Sequence, residues 1–244
     1  MGFDILLVTA AVAAGAVAAI TGFGIGSLLT PALVMQMDAR LAVAAVAIPH
    51  VAGTACRFWL LRARVDGRVL VSFGLTSAVG GLAGALLQQQ FAAAWLLILF
   101  GSLLLFTAAA ELTGLGRRMR FRGPAAWIAG ALSGLLGGLV GNQGGIRSAA
   151  LLGVDLPKAT FVGTATAVAL MVDGARLPVY LWQFGDDLSG LQFWIVLATL
   201  GVLLGTLAGY RLLVRIPERS FRRVVAVVLA VLGAAMLVRG IMDA

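Results

Sequence analysis

Long apolar stretches alternate with short polar breaks along the whole chain. The apolar runs fall at about 3–37, 41–61, 69–87, 91–114, 124–154, 159–183, 190–213 and 221–242. The breaks hold Asp38 and Arg40, Arg62 to Arg68, Gln88 to Gln90, and Arg117 to Arg122. Further on they hold Asp155 to Lys158, Asp186 and Asp187, and Arg211 to Arg223. One helical crossing of a bilayer needs about 20 apolar residues. The pattern predicts an all-α, polytopic membrane protein. No break is long enough to separate soluble domains, so residues 1–244 read as a single membrane domain.

Two of the runs, 3–37 and 124–154, are too long for one crossing and too short for two. Both are interrupted by glycine, in "AAITGFGIGSLLTPALV" and "GGLVGNQGGIRSAALLG". Irregular backbone at membrane depth survives only where protein or a water-filled cavity covers it. Each run is therefore expected to be a broken or re-entrant segment. The two occupy matching places. Gly15, Gly22, Gly26 and Arg57 each lie 119 residues before Gly134, Gly141, Gly145 and Arg176. Gly80 and Gly84 lie 121 residues before Gly201 and Gly205, where close helix packing is the simpler reading. The chain thus reads as two repeats, 1–120 and 121–244, each a glycine-rich broken segment followed by three transmembrane helices.

Charge decides the relation between the repeats. If all eight runs crossed fully, the Arg-rich break 211–223 would face away from those at 62–68 and 117–122. With the two glycine-rich runs re-entrant, the breaks 62–68, 117–122, 155–158 and 211–223 share one side. That side is the cytoplasm by the positive-inside tendency. Three crossings per half then invert one half relative to the other, and both termini lie outside.

Composition agrees with the pattern. The chain is 61% hydrophobic and 11% charged, with a mean hydropathy of +1.04. Soluble domains carry about a quarter charged residues. The net charge is +8, and all but one of the 18 basic residues are Arg. Their clustering in short breaks fits loops facing anionic lipid, and nucleic acid is excluded as a partner. Asp4 stands where a signal peptide would carry a basic residue, so the first run reads as a retained membrane segment. Cys56 is the only cysteine, which removes an internal disulfide and a thiolate cluster. No cofactor or metal site is expected. "GFGIGS" contains a GxG without a nucleotide-binding βαβ unit around it. With no Ser/His/Asp constellation either, the chain does not read as an enzyme.

The signature "TGFGIGSLLTPAL", Thr21 to Leu33, and its counterpart from Gly137 to Leu152 resemble the paired glycine-rich motifs of the TauE/SafE family of anion permeases. The resemblance covers essentially the whole chain in length, repeat and spacing. It implies a permease that exports sulfite or organosulfonates. The second copy carries Asn142-Gln143-Gly144-Gly145-Ile146-Arg147 where many members have small residues and a proline, which implies a subfamily with its own ligand.

Candidate site residues follow from the cost of polarity in lipid. Arg147 directly follows the Gly-Gly break. Its flat fork of donors suits carboxylate, sulfonate or phosphate oxygens, or else ties the hairpin to backbone carbonyls. Asn142, Gln143, Gly144 and Gly145 would add donors on the same side. Thr21, Gly22, Gly24 and Gly26 would form the opposing wall. The repeat mates Arg57 and Arg176 are expected at two symmetry-related entrances, with Arg57 alternatively snorkelling to the surface. Asp173 lies three residues before Arg176, as a structural pair or a protonation site. His50, the only histidine, reads as a proton carrier or a packed core residue. Thr160, Thr164 and Thr166 read as bonding their own or a neighbouring helix. The expected activity is proton-coupled export of a small organic or sulfur-containing anion of the sulfite, sulfonate or carboxylate class. Two alternatives stay open: a membrane-embedded assembly subunit, and a channel-like anion pathway. A homo-oligomer is compatible with the sequence.

Overall fold

The computed structural model describes residues 2–115, 123–142, 144, 147, 151, 156–212 and 218–244. Among these residues all regular structure is helical. The long elements are α1 (Gly2–Thr21), α2 (Ile25–Val34), α3 (Ala39–Leu61), α4 (Gly67–Gln90) and α5 (Ala93–Thr113). They continue with α6 (Pro124–Val140), α7 (Lys158–Gly190), α8 (Gln192–Leu212) and α9 (Glu218–Met242). Seven of them are long and apolar enough to cross a membrane, and α2 and α6 are the shorter ones. At 1.5 Å per residue, the 10 residues of α2 rise about 15 Å, half the thickness of the hydrocarbon core.

Local chemistry sets the ends. Asp38 caps α3 by accepting from the Arg40 amide (2.8 Å), and Asp66 caps α4 by accepting from those of Arg68 and Val69. Pro124 opens α6 at a position where a missing amide costs nothing. Gly114 ends α5 in the left-handed region. The polar pair Asp186–Asp187, expected in a break, lies instead on the exposed last turns of α7, which continues to Gly190 past a kink at Phe184. Polarity there marks where the helix leaves apolar surroundings, not where it stops.

Packing pairs the two halves. α1 runs beside α8 in the same direction: Trp194 donates to Asp4 (3.2 Å) at one end and Gly209 meets Ala16 toward the other. α4 runs beside α6 in the same direction, with Ser77 donating to the Gly130 carbonyl (2.9 Å) and Gln88 to that of Leu139 (2.9 Å). α3 and α7 are antiparallel, joined at His50–Asp173 and Arg57–Thr166. α5 and α9 are also antiparallel, with Gly101 against Leu237 and Gly240 against Ile98. At Gly84 and Gly205 a Cβ would strike the backbone carbonyls of Leu135 and Val12. Both glycines therefore serve backbone-to-backbone helix contact.

Candidate functional site

The two glycine-rich breaks meet at the centre of the bundle. Between α1 and α2 the chain turns through Gly22 and Gly24, whose φ angles of 85° and 130° are closed to most side chains. Thr21 fixes that turn, its hydroxyl donating to the Phe23 carbonyl (2.7 Å). α6 ends at Gly141 in the left-handed region, its amide bonded back to Gly137. The tips then interlock. A Cβ on Gly26 would strike the Gly141 carbonyl, and one on Gly144 would strike the Phe23 ring. Ser27 donates to Asn142 Oδ1 (3.1 Å), and Arg147 Nη2 donates to the Gly22 carbonyl (3.1 Å). The expected wall of Thr21, Gly22, Gly24 and Gly26 thus faces Asn142, Gly144 and Arg147. Gln143 and Gly145 lie outside the described residues.

Ending a helix inside a membrane leaves its last carbonyls without partners. Side chains take two of them here, at Gly138 and Leu139, and a third adds a second bond to Gly137, whose carbonyl already accepts the Gly141 amide. Arg176 Nη1 donates to Gly137 (2.6 Å), the Tyr180 hydroxyl to Gly138, and Gln88 Nε2 to Leu139. The cation also sits at the negative end of the helix dipole. Arg176 spends its remaining donors on Asp173, Nε at 3.0 Å and Nη2 at 2.9 Å. The other Asp173 oxygen lies 2.7 Å from His50 Nδ1. Thr54 Oγ1 is 3.4 Å from the same nitrogen.

Among the described residues the other two arginines are left short of partners. Arg57 Nε donates to Thr166 Oγ1 (3.0 Å), which itself donates to the Val162 carbonyl, while Arg57 Nη1 has no partner. Arg147 has none at Nε or Nη1, and Asn142 none at Nδ2. All three arginines are about 1% exposed. Neither Arg57 nor Arg176 sits at an entrance, and Arg57 does not snorkel. The antiparallel packing of α3 on α7 carries both into the centre, within electrostatic reach of Arg147 and Asp173. Three guanidinium charges against one carboxylate leave two positive charges in excess when His50 is neutral. Taking each such charge from water costs several kcal/mol without a counter-charge.

Sequence reasoning found the three arginines, Asp173 and His50 but missed Ser27, Tyr180 and Gln88. Tyr180 had one signal, its place four residues after Arg176 on the same helix face. Gln88 had none, because it is one of three consecutive glutamines. A family model described as "Sulfite exporter TauE/SafE" matches residues 7–236. The chain belongs to the TauE/SafE family. No curated protein and no solved structure matches it. As a TauE/SafE protein it is a multi-pass membrane transporter and not an enzyme. The family description names sulfite as cargo, and three of the chain's arginines are buried together in the cluster.

Proposed function

We propose that this TauE/SafE protein carries a small sulfur oxyanion or organic anion outward across the bacterial inner membrane, held during passage by Arg147, Arg57 and Asn142. The observation that carries the reading is the set of buried donors without partners among the described residues: Arg147 Nε and Nη1, Arg57 Nη1 and Asn142 Nδ2. Unpaired buried donors cost about 1–3 kcal/mol each, more when charged. Four in one cluster with surplus positive charge match an oxyanion, whose oxygens accept from several guanidinium groups at once. Gly22, Gly24, Gly26 and Gly144 let the two breaks approach closely enough to enclose it, and Thr21 holds the first turn.

Arg176 serves a different end. With its donors taken by Asp173 and Gly137, it ties α6 to α7, and the Asp173–His50 contact is the place where a proton is exchanged during coupled export. The halves are related as an inverted repeat. Supporting this, the mates α3 and α7 run antiparallel, as do α5 and α9, which a two-fold axis lying across the helices produces. Both termini then lie outside, where Asp4 and Trp194 meet.

The test is flux of sulfite and of a small sulfonate in proteoliposomes, with binding read as the anion-dependent rise in melting temperature. The native protein is expected to show both, and Arg147→Met to lose both. Unchanged flux in that variant removes the reading.

A further inference from the structure

An open cavity of about 290 Å³ lies where α2 ends and α3 begins, lined by Val34 to Ala39, Ala93, Leu97, Arg239 and Asp243. Its polar wall is Gln36, Asp38 and the ion pair Arg239–Asp243 (3.6 Å). A second, narrow cavity shares Val34, Ala39 and Leu97 with it and continues inward past Thr30, Val43, Phe100 and Val140. That neck measures about 10 Å³, the lower limit for a single water and too small for an oxyanion. Beyond it, Val43 packs 3.3 Å from where a Gly141 Cβ would stand, and Arg176 Nη1 lies 3.8 Å from the same point. The neck therefore stops one residue short of the buried cluster.

α2 connects the two ends. Ser27, Thr30 and Val34 follow at i, i+3 and i+7 and share one face. Ser27 bonds Asn142 in the cluster, Thr30 lines the neck, and Val34 lines both neck and cavity. Threonines in membrane helices ordinarily bond the carbonyl four residues back. Thr107, Thr166 and Thr199 do so here, each at 2.7 Å. Thr30 is 2% exposed and its Oγ1 has no partner among the described residues. A buried hydroxyl left unbonded beside an otherwise apolar neck is a donor held for something that passes. Pro31, the next residue, removes one helical hydrogen bond from this same short helix, so its outer turn can shift with fewer bonds broken.

We propose that this face of α2 is the wall of the anion's path between the buried cluster and the open cavity. Val34, Leu97, Phe100 and Val140 form the closed gate across the path, and the Thr30 hydroxyl is the anion's station behind it. The proposal rests on the anion-carrying reading above and adds to it a route and a gate.

The experiment uses the full chain in proteoliposomes, with sulfite as the probe. Leu97→Trp fills the neck and is expected to cut flux at least tenfold while the sulfite-dependent rise in melting temperature persists. In a Cys56→Ser background, Thr30→Cys is expected to be alkylated by iodoacetate, a small anion, added on the side where Gln36 lies. Flux measured after washing should be lost. Wild-type flux in a folded Leu97→Trp overturns the gate. A transport-active Thr30→Cys that stays inert to iodoacetate overturns the path, and decides the matter alone if Leu97→Trp does not fold. In either case sulfite binding by the native protein stands. Absence of binding and flux in the native protein with both sulfite and the small sulfonate overturns the anion reading, and the path falls with it.

Discussion

Replacing Arg147 with methionine should make the empty protein more stable and useless as a carrier. Arg147 is 1% exposed, and its one hydrogen bond reaches the Gly22 carbonyl at 3.1 Å. Nε and Nη1 are buried without partners, and Arg57 and Arg176 repel the guanidinium. Removing two unsatisfied donors recovers about 2–6 kcal/mol, while losing one bond to a charged group costs about 1.5–3 kcal/mol. Exchanging a poorly paired buried charge for an apolar side chain of similar length is often stabilising by about 1–4 kcal/mol. The net expectation is a gain of about 1–3 kcal/mol. At roughly 2–4 °C per kcal/mol for a chain of this size, the melting temperature without anion rises by about 2–12 °C. Binding should move the other way. Truncating a charged partner in a buried pair costs about 2–5 kcal/mol, a loss of at least about thirtyfold in anion affinity.

The assay is thermal unfolding in detergent, followed by tryptophan fluorescence, with and without sulfite. Arg176→Met is the control. Its guanidinium is bonded to Asp173 and to the end of α6, so its loss leaves the buried carboxylate with His50 as its one remaining described partner and should cost about 3–5 kcal/mol. The two variants must therefore shift in opposite directions. If Arg147→Met melts several degrees lower in the absence of anion and keeps its response to sulfite, Arg147 is a structural tie. The assembly-subunit reading then gains what the transporter reading loses.

Other consequences are read with simpler measurements. His50→Gln keeps a hydrogen-bonding partner for Asp173 but cannot carry a proton; its stability should stay within about 1 kcal/mol of native. Its sulfite flux should stop responding to an imposed pH gradient, and a retained response would remove His50 from coupling. Gly26→Ala drives a methyl group into the Gly141 carbonyl, so overpacking of about 1–3 kcal/mol should lower the melting temperature by several degrees. Cysteines placed at Asp186 and at Arg64 in a Cys56→Ser background should react with an impermeant maleimide from opposite faces, Asp186 from outside. Reaction of both from one face would break the inverted arrangement.

The sequence made the class legible because lipid enforces it: long apolar runs and clustered arginines leave little freedom. The broken segments were legible for the same reason, since Gly22, Gly24 and Gly141 stand where only a chain leaving helix has use for them. The expected wall from Thr21 to Gly26 and its partners Asn142, Gly144 and Arg147 come together as spacing suggested. The depth of Arg57 and Arg176 was not legible. Arg57 stands five residues before a polar break, and sequence distance does not say whether a long side chain points out to the surface or inward. Packing against α7 decides it, through Thr166. Gln88 was equally hidden, because its role depends on where α6 ends beside it.

The offset of 119 residues also explains why three arginines in one cluster behave differently. Arg176 has Asp173 one turn before it; the matching position before Arg57 is Thr54. One half thus brings its own carboxylate and the other does not. Arg57 leans on a hydroxyl from the opposite half, Thr166, and keeps a free donor. The same comparison places Leu28 opposite Arg147, and Phe23 opposite Asn142. The first break therefore gives apolar packing and close backbone approach, while the second gives charge and amide donors. A symmetrical pair of acid-compensated arginines would bind nothing further, because each would be neutralised on its own helix. On the proposed repeat, breaking the symmetry leaves a positive excess beside the meeting point of the breaks, where a small shift of either tip would change the donors offered to the proposed anion. The two halves would then supply the frame, and the differences between them the proposed site.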